Sequence, residues 1–185
     1  MKRCAWPKSG PEITYHDTEW GVPEHDDQKL FEFLVLEGAQ AGLSWSTILD
    51  KRDGYKRAFS GFDPGKVSRY TKRDVTRLLA DKSIIRNRLK IESAINNAKR
   101  FLEVQEEFGT FDEYLWGFVN HRQKKNRFKS HKEIPAHTST SESLSRDLKL
   151  RKFTFVGPVI CYSLMQATGM VNDHTQGCFM YEGTF

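Results

Sequence analysis

The sequence has 185 residues, enough for one domain of ordinary size whose core needs no disulfides. Only 38% of residues are hydrophobic, so the 13 Phe, 6 Tyr and 4 Trp must supply much of the apolar area. Lys and Arg exceed Asp and Glu by 29 to 24, and a net charge of +5 is a balance seen in proteins that meet polyanions, though many basic proteins bind nothing acidic.

The basic start Met1-Lys2-Arg3-Cys4 runs into Trp6-Pro7-Lys8-Ser9-Gly10, not into an apolar stretch, and does not read as a signal peptide. No segment reaches membrane-spanning length. Three widely spaced cysteines fit a reducing compartment better than a disulfide framework, which places the protein in the cytoplasm.

After a Gly- and Pro-punctuated opening, Asp26 and Asp27 can cap a helix over 28–42, with Leu30, Phe33, Leu34 and Ala41 on one face. Glu37 shares that apolar face. Ser44 can cap a second helix through Ile48 toward Phe59. Asp63-Pro64 and Thr71-x-x-Asp74 mark two further helix starts. The longest periodic stretch runs over 87–108 and stops at Gly109, and a shorter helix follows over 111–119. The basic segment 122–132 reads as a loop, solvated or touching a polyanion. Ser139-x-x-Glu142 then caps a helix carrying Leu144 and Leu148, and a last helix runs from Pro158 to Gly169. Period-two alternation is confined to a hint at 153–156, so the expected fold class is all-α, in a single domain over 1–185.

Two Cys/His pairs stand at opposite ends of the chain, Cys4 with His16 and His174 with Cys178. Residues four apart on one helical turn can reach one ion, which makes the second pair the sharper signal. A closed set of two thiolates and two imidazoles would hold structural zinc; the alternative is four unrelated residues. Cys161, within Val159-Ile160-Cys161-Tyr162, reads as a core thiol. His25, His121, His131 and His137 lack partners at ligand spacing and read as surface histidines.

Glu37 on an apolar face must be paired, desolvated or in a cavity. Trp45, just beyond the Gly42 break, and Trp6, Tyr15 and Trp20 from the N-terminal segment could form an aromatic box around it. Such a box suits a flat cationic ligand whose amine donates to the acid. The bland alternative is a ring-rich core with Glu37 paired to an arginine.

Four segments, Arg3-Cys4-x-Trp6, Tyr15-His16-Asp17-x-Glu19-Trp20-Gly21, Leu36-Glu37-x-x-Gln40-Ala41-Gly42-Leu43-Ser44-Trp45 and Asn172-Asp173-His174-x-x-x-Cys178, closely resemble the bacterial DNA-3-methyladenine glycosylase I family. The resemblance spans nearly the whole chain. It implies a helix-hairpin-helix fold, one structural zinc on Cys4, His16, His174 and Cys178, and hydrolysis of the N-glycosidic bond of 3-methyladenine in alkylated double-stranded DNA. It further implies that Glu37 contacts a flipped base enclosed by Trp6, Tyr15, Trp20 and Trp45. No Schiff-base lysine stands out, so the expected enzyme is monofunctional, without strand cleavage, and works as a monomer with no obligate protein partner.

For the DNA-binding hairpin the sequence offers 83–88, with Ser83, Ile84, Arg86 and Arg88 followed by Lys90, as a phosphate cradle at a helix start. The same segment also reads as an ordinary turn. Four positions depart from the family pattern: Glu12 where an aromatic is usual, Ala39 in place of a frequent glutamine, and Ser83 and Leu89 where glycines are common in the hairpin. A non-catalytic DNA binder and, more distantly, a zinc hydrolase are the competing readings; release of free base separates the first from a glycosylase.

Overall fold

Asp26 opens the helix on which the rest of the molecule is built. The computed structural model describes residues 1–8 and 10–182. The Asp26 carboxylate accepts from the Lys29 N–H, capping α2 (Asp27–Gln40). This helix is buried nearly all round, from Leu30 through Leu36 to Ala39, because other elements cover every side of it. Its neighbours include α3 (Trp45–Leu49), α7 (Arg88–Phe108), α8 (Phe111–Gly117) and α10 (Pro158–Ala167).

The remaining described helices are α1 (Gly10–Thr18), α4 (Arg52–Ala58), α5 (Pro64–Val67), α6 (Lys72–Ala80) and α9 (Ser139–Leu150). Expected caps form at Ser44, Asp63 and Thr71, the last as a reciprocal box with Asp74, and Asn87 caps α7. None of the described helices is long and apolar enough to cross a membrane.

The chain departs from its pattern in four places. The opening segment contains α1, whose polar composition hides it from periodicity. The helix expected from Ser44 toward Phe59 is two helices, because the Asp50 N–H turns back to the Ser46 and Ile48 carbonyls and closes α3. The cap of α9 is Thr138: its hydroxyl accepts from Ser141 N–H while the Ser141 hydroxyl accepts from Thr138 N–H, and Glu142 instead pairs with His137. No strand forms at 153–156. There Phe155 is left-handed at φ 54°, the Thr154 N–H donates to Asn97 Oδ1, and the Ser145 hydroxyl donates to the Val156 carbonyl. The two strands among the described residues, β1 (Lys124–Lys125) and β2 (Val171–Asn172), pair in parallel instead. A mostly helical molecule results, with its basic segment tied to its C-terminal segment.

Candidate active site

Two carboxylates of α2 are buried, and they have opposite fates. Glu32 accepts from Arg52 Nε at 2.6 Å and from Lys29 Nζ at 3.0 Å, while the Arg52 fork also grips Glu19 through two bonds of 2.7 Å. Glu37, only 4% exposed, has no hydrogen-bond or ion-pair partner among the described residues. Burial alone raises its carboxyl to about 8. The arginine pairing that the bland reading of the sequence gives Glu37 is made by Glu32 instead, with Arg52.

Glu37 faces a cavity of about 270 Å³, at the small end for a ligand site. Trp6, Tyr15, Trp20 and Trp45 form its aromatic wall. The rings brace one another: Trp6 meets Trp20 edge-on with centroids 5.3 Å apart, and Tyr15 lies 5.2 Å from Trp45. Burial, and after it the Glu37 charge, push the Tyr15 phenol well above its ordinary value, so it is a neutral hydroxyl. The indole N–H groups of Trp6 and Trp45 are buried and find no acceptor among the described residues. Buried donors without acceptors are costly, and here they line the same cavity as an acid without a donor.

The turn between α2 and α3 completes the mouth. Gly42 takes φ 76°, where a side chain would be strained, and lets the chain reverse so that Gln40 and Trp45 both reach the cavity. Leu43, at the turn, is left 39% exposed.

Sequence reasoning missed Gln40, His131, Ser163 and Gln166 as lining residues. Ser163 and Gln166 are three apart on the otherwise apolar α10, and that spacing was a usable signal. The sequence reads His131 as a surface histidine. It is exposed, yet it lines the cavity. Of the other three, His25 stacks on Trp116 and bonds Asp112, His121 lies beside Glu113, and His137 pairs with Glu142. Cys161 is the expected core thiol, its Sγ 3.4 Å from the Val156 carbonyl and pushed up to about 12 by burial. Glu12, the departure noted in the sequence, accepts from the Lys8 N–H and is not part of the cavity wall.

Behind the aromatic wall, Cys4, His16 and Cys178 bring their ligand atoms within 4.8 Å of one another, all buried. His174 is not in that cluster but adjoins it, its ring 4.8 Å from that of His16. Its Nδ1 is engaged by Asn172 Oδ1, and its Nε2 is buried with no partner among the described residues. His16 is oriented in the same manner, Nδ1 to Asp17 at 2.7 Å and Nε2 toward Cys178 Sγ at 3.5 Å. Burial lowers His174 to about 4 and raises Cys4 to about 11. Trp20 packs on both histidine rings, so this cluster and the cavity share a wall.

In the segment 83–90 the N–H groups of Arg86, Arg88 and Leu89 have no acceptor among the described residues, while several others are engaged. The Ser83 N–H and hydroxyl both donate to Asp81, the Ile84 N–H to the Asp81 carbonyl, the Ile85 N–H to Tyr55 and the Asn87 N–H to the Ile85 carbonyl. Ile84 is buried, and the Lys90 ammonium donates to the Ala39 and Ala41 carbonyls. Arg86 and Arg88 remain exposed, Arg88 lying 3.4 Å from Glu92.

A model of the methyladenine glycosylase family matches residues 6–181. The chain belongs to that family. This methyladenine glycosylase family member is 50% identical over 184 residues to DNA-3-methyladenine glycosylase 1 of Escherichia coli, spanning 99% of this chain and 98% of that protein. The DNA-3-methyladenine glycosylase of Haemophilus influenzae is 43% identical over 177 residues, spanning 95% and 96%. The crystal structure of a tyrosine-to-phenylalanine variant of 3-methyladenine DNA glycosylase I, in complex with 3-methyladenine, matches with a TM-score of 0.96 at 35% identity over the whole of both chains.

Proposed function

We propose that this chain hydrolyses the N-glycosidic bond of 3-methyladenine in alkylated double-stranded DNA, as a monofunctional enzyme. The observation that carries the reading is Glu37: a buried carboxyl with no partner among the described residues, walled by four aromatic rings, in a family whose relatives are named for this base. The chemistry fits such a pocket. Methylation at N3 makes the adenine cationic, so it departs with the electron pair of the C1′–N9 bond as a neutral base and needs no general acid. Water forms the new C1′–O bond and gives its proton to solvent. With the cationic base beside it Glu37 gives up its proton to solvent, accepts from the exocyclic amine and offsets the positive charge, while the ring faces of the wall attract the cation.

A base reaches a pocket of this kind only by leaving the stack. Leu43, exposed in the turn between the cavity-lining Gln40 and Trp45, would fill the gap that the flipped base leaves. For the backbone contact, α10 offers more open N–H groups than the 83–88 segment, where those of Arg86 and Arg88 lack an acceptor among the described residues. Gly157 caps it without a side chain, and the Phe155, Gly157, Val159 and Ile160 N–H groups find no acceptor among the described residues. Ser163 in the cavity wall is five residues from the start of α10, about 7.5 Å along the axis. We therefore assign the helix-hairpin-helix role to α9, α10 and the chain between them, with Arg86 and Arg88 as flanking charges.

Zinc suits the cluster of Cys4, His16 and Cys178, with His174 as the fourth ligand. The two imidazoles carry the outer hydrogen bonds expected of ligands, and the partnerless Nε2 of His174 has no other evident purpose. Four protein ligands leave no open position, so the metal would tie the N-terminal segment to the C-terminal one and take no part in hydrolysis.

The test is release of free base from methylated duplex DNA. The expected result is 3-methyladenine in solution and a strand that stays intact until alkali is added. Saturated binding without release by the folded protein would leave a damage-binding module.

A further inference from the structure

His131 is the one cavity-lining residue contributed by the basic segment 122–132. It lies in the short turn His131–Glu133, closed by the Lys129 N–H donating to Glu133 Oε2 and by the Ser130 hydroxyl donating to Glu133 Oε1. The imidazole is exposed and has no hydrogen-bond or ion-pair partner among the described residues. A side chain both exposed and lining marks the mouth of the cavity, not its floor.

The segment that carries it is anchored. The Lys124 N–H donates to the Met170 carbonyl and the Asn126 N–H to the Asn172 carbonyl, the bonds of the β1–β2 pair. Asn126 Nδ2 donates to Asp173 Oδ1 at 2.6 Å, and Asp173 also accepts from Tyr162 and from Gln166 Nε2, itself in the cavity wall. Gln123 Nε2 donates to the Gly21 and Gly169 carbonyls. These bonds hold the segment against the elements that build the pocket.

Its charge is also uncommitted. Arg122, Lys124, Arg127, Lys129 and Lys132 are exposed and have no ion-pair partner among the described residues, whereas Lys125 is taken by Glu182 and the Tyr181 ring. With a base in the cavity, the sugar occupies the mouth and the flanking phosphates lie just outside it. An unpartnered N–H donor at the rim, beside two unpaired lysines, is arranged for an anion there.

We propose that His131 binds the phosphodiester flanking the flipped nucleotide, with Lys129 and Lys132 adding charge, so that the 122–132 segment forms part of the DNA-binding surface. This rests on the glycosylase reading for its ligand, but it is tested without turnover. The measurement is affinity for a duplex carrying a stable abasic-site analogue across a salt series, together with affinity for free 3-methyladenine. His131→Ala is expected to weaken duplex binding about tenfold. Lys129→Ala with Lys132→Ala is expected to lower the slope of log affinity against log salt by about 2. Free-base affinity should stay with both variants, since the base carries no phosphate. Unchanged duplex affinity and salt slope would overturn the proposal, as would a His131→Ala variant that loses the free base, which would make His131 part of the base pocket. A wild type that binds the abasic duplex but releases no 3-methyladenine would sink the glycosylase reading alone.

Discussion

The Lys90 ammonium donates to the Ala39 carbonyl at 2.7 Å and to the Ala41 carbonyl at 2.6 Å, closing the C-terminal end of the helix that carries Glu37. The last carbonyls of a helix lack partners within it, and a cation there also meets the negative end of its dipole. Gln40, between the two accepting residues, lines the cavity, and the Gly42 turn begins just beyond. Lys90→Met removes both bonds and leaves two carbonyls unsatisfied. The expected cost is about 1–3 kcal/mol in denaturant unfolding, with weaker binding of 3-methyladenine and partial recovery of both by Lys90→Arg. An equally stable variant with unchanged base binding would show that the turn holds without the lysine.

Glu37 makes stability depend on pH in a definite direction. Its carboxyl is raised from the ordinary value of 4.5 to about 8 by burial, so between those values the folded chain holds a proton that the unfolded chain has released. This contribution is fully present below pH 4.5, falls as pH rises and is gone above pH 8. Glu37→Gln lacks it. Unfolding curves over pH 5–9 should show the variant gaining on wild type as pH rises, by a few kcal/mol at most. Parallel curves would mean that Glu37 is ionised throughout.

Metal removal should reach the pocket through Trp20, which packs on both His16 and His174. Chelation, or Cys178→Ala, is expected to lower Tm by several degrees and to weaken 3-methyladenine binding with it. Elemental analysis of protein prepared with zinc should give one ion per chain. Stable, fully binding protein without metal would contradict the assignment.

Leu43→Ala tests the wedge. Its side chain is 39% exposed, so truncation should shift Tm little, while base release from duplex falls and binding of free 3-methyladenine is kept. Equal losses for duplex and free base would place Leu43 in the pocket wall instead.

What the sequence disclosed was governed by distance along the chain. Caps at Asp26, Ser44, Asp63 and Thr71 are local chemistry and were readable. Glu37 stood out because an acid on an apolar face has few explanations, and the cysteines and histidines because thiols and imidazoles at both termini are rare. The partner of Glu32 is 20 residues away, and nothing local separates an acid that Arg52 will pair from one left open. The Lys90 contact is hidden for the same reason: beside Arg86 and Arg88 it reads as part of a basic cluster, and only the fold turns it toward Ala39. His131 lies where no periodicity operates, so its approach to the cavity depends wholly on the β1–β2 pairing. The hairpin at 83–88 has the charge of a phosphate site, but which of its N–H groups stay open depends on long-range contacts such as that of Ile85 with Tyr55.

The most direct test of the account is 3-methyladenine release from methylated duplex DNA by wild type and Glu37→Gln under identical conditions, with folding and metal content matched. The account predicts release by wild type and a loss of about 10- to 100-fold in the variant, the worth of a hydrogen bond to a charged group. Equal release by a folded Glu37→Gln would contradict it, and would mean that the aromatic wall alone selects the base.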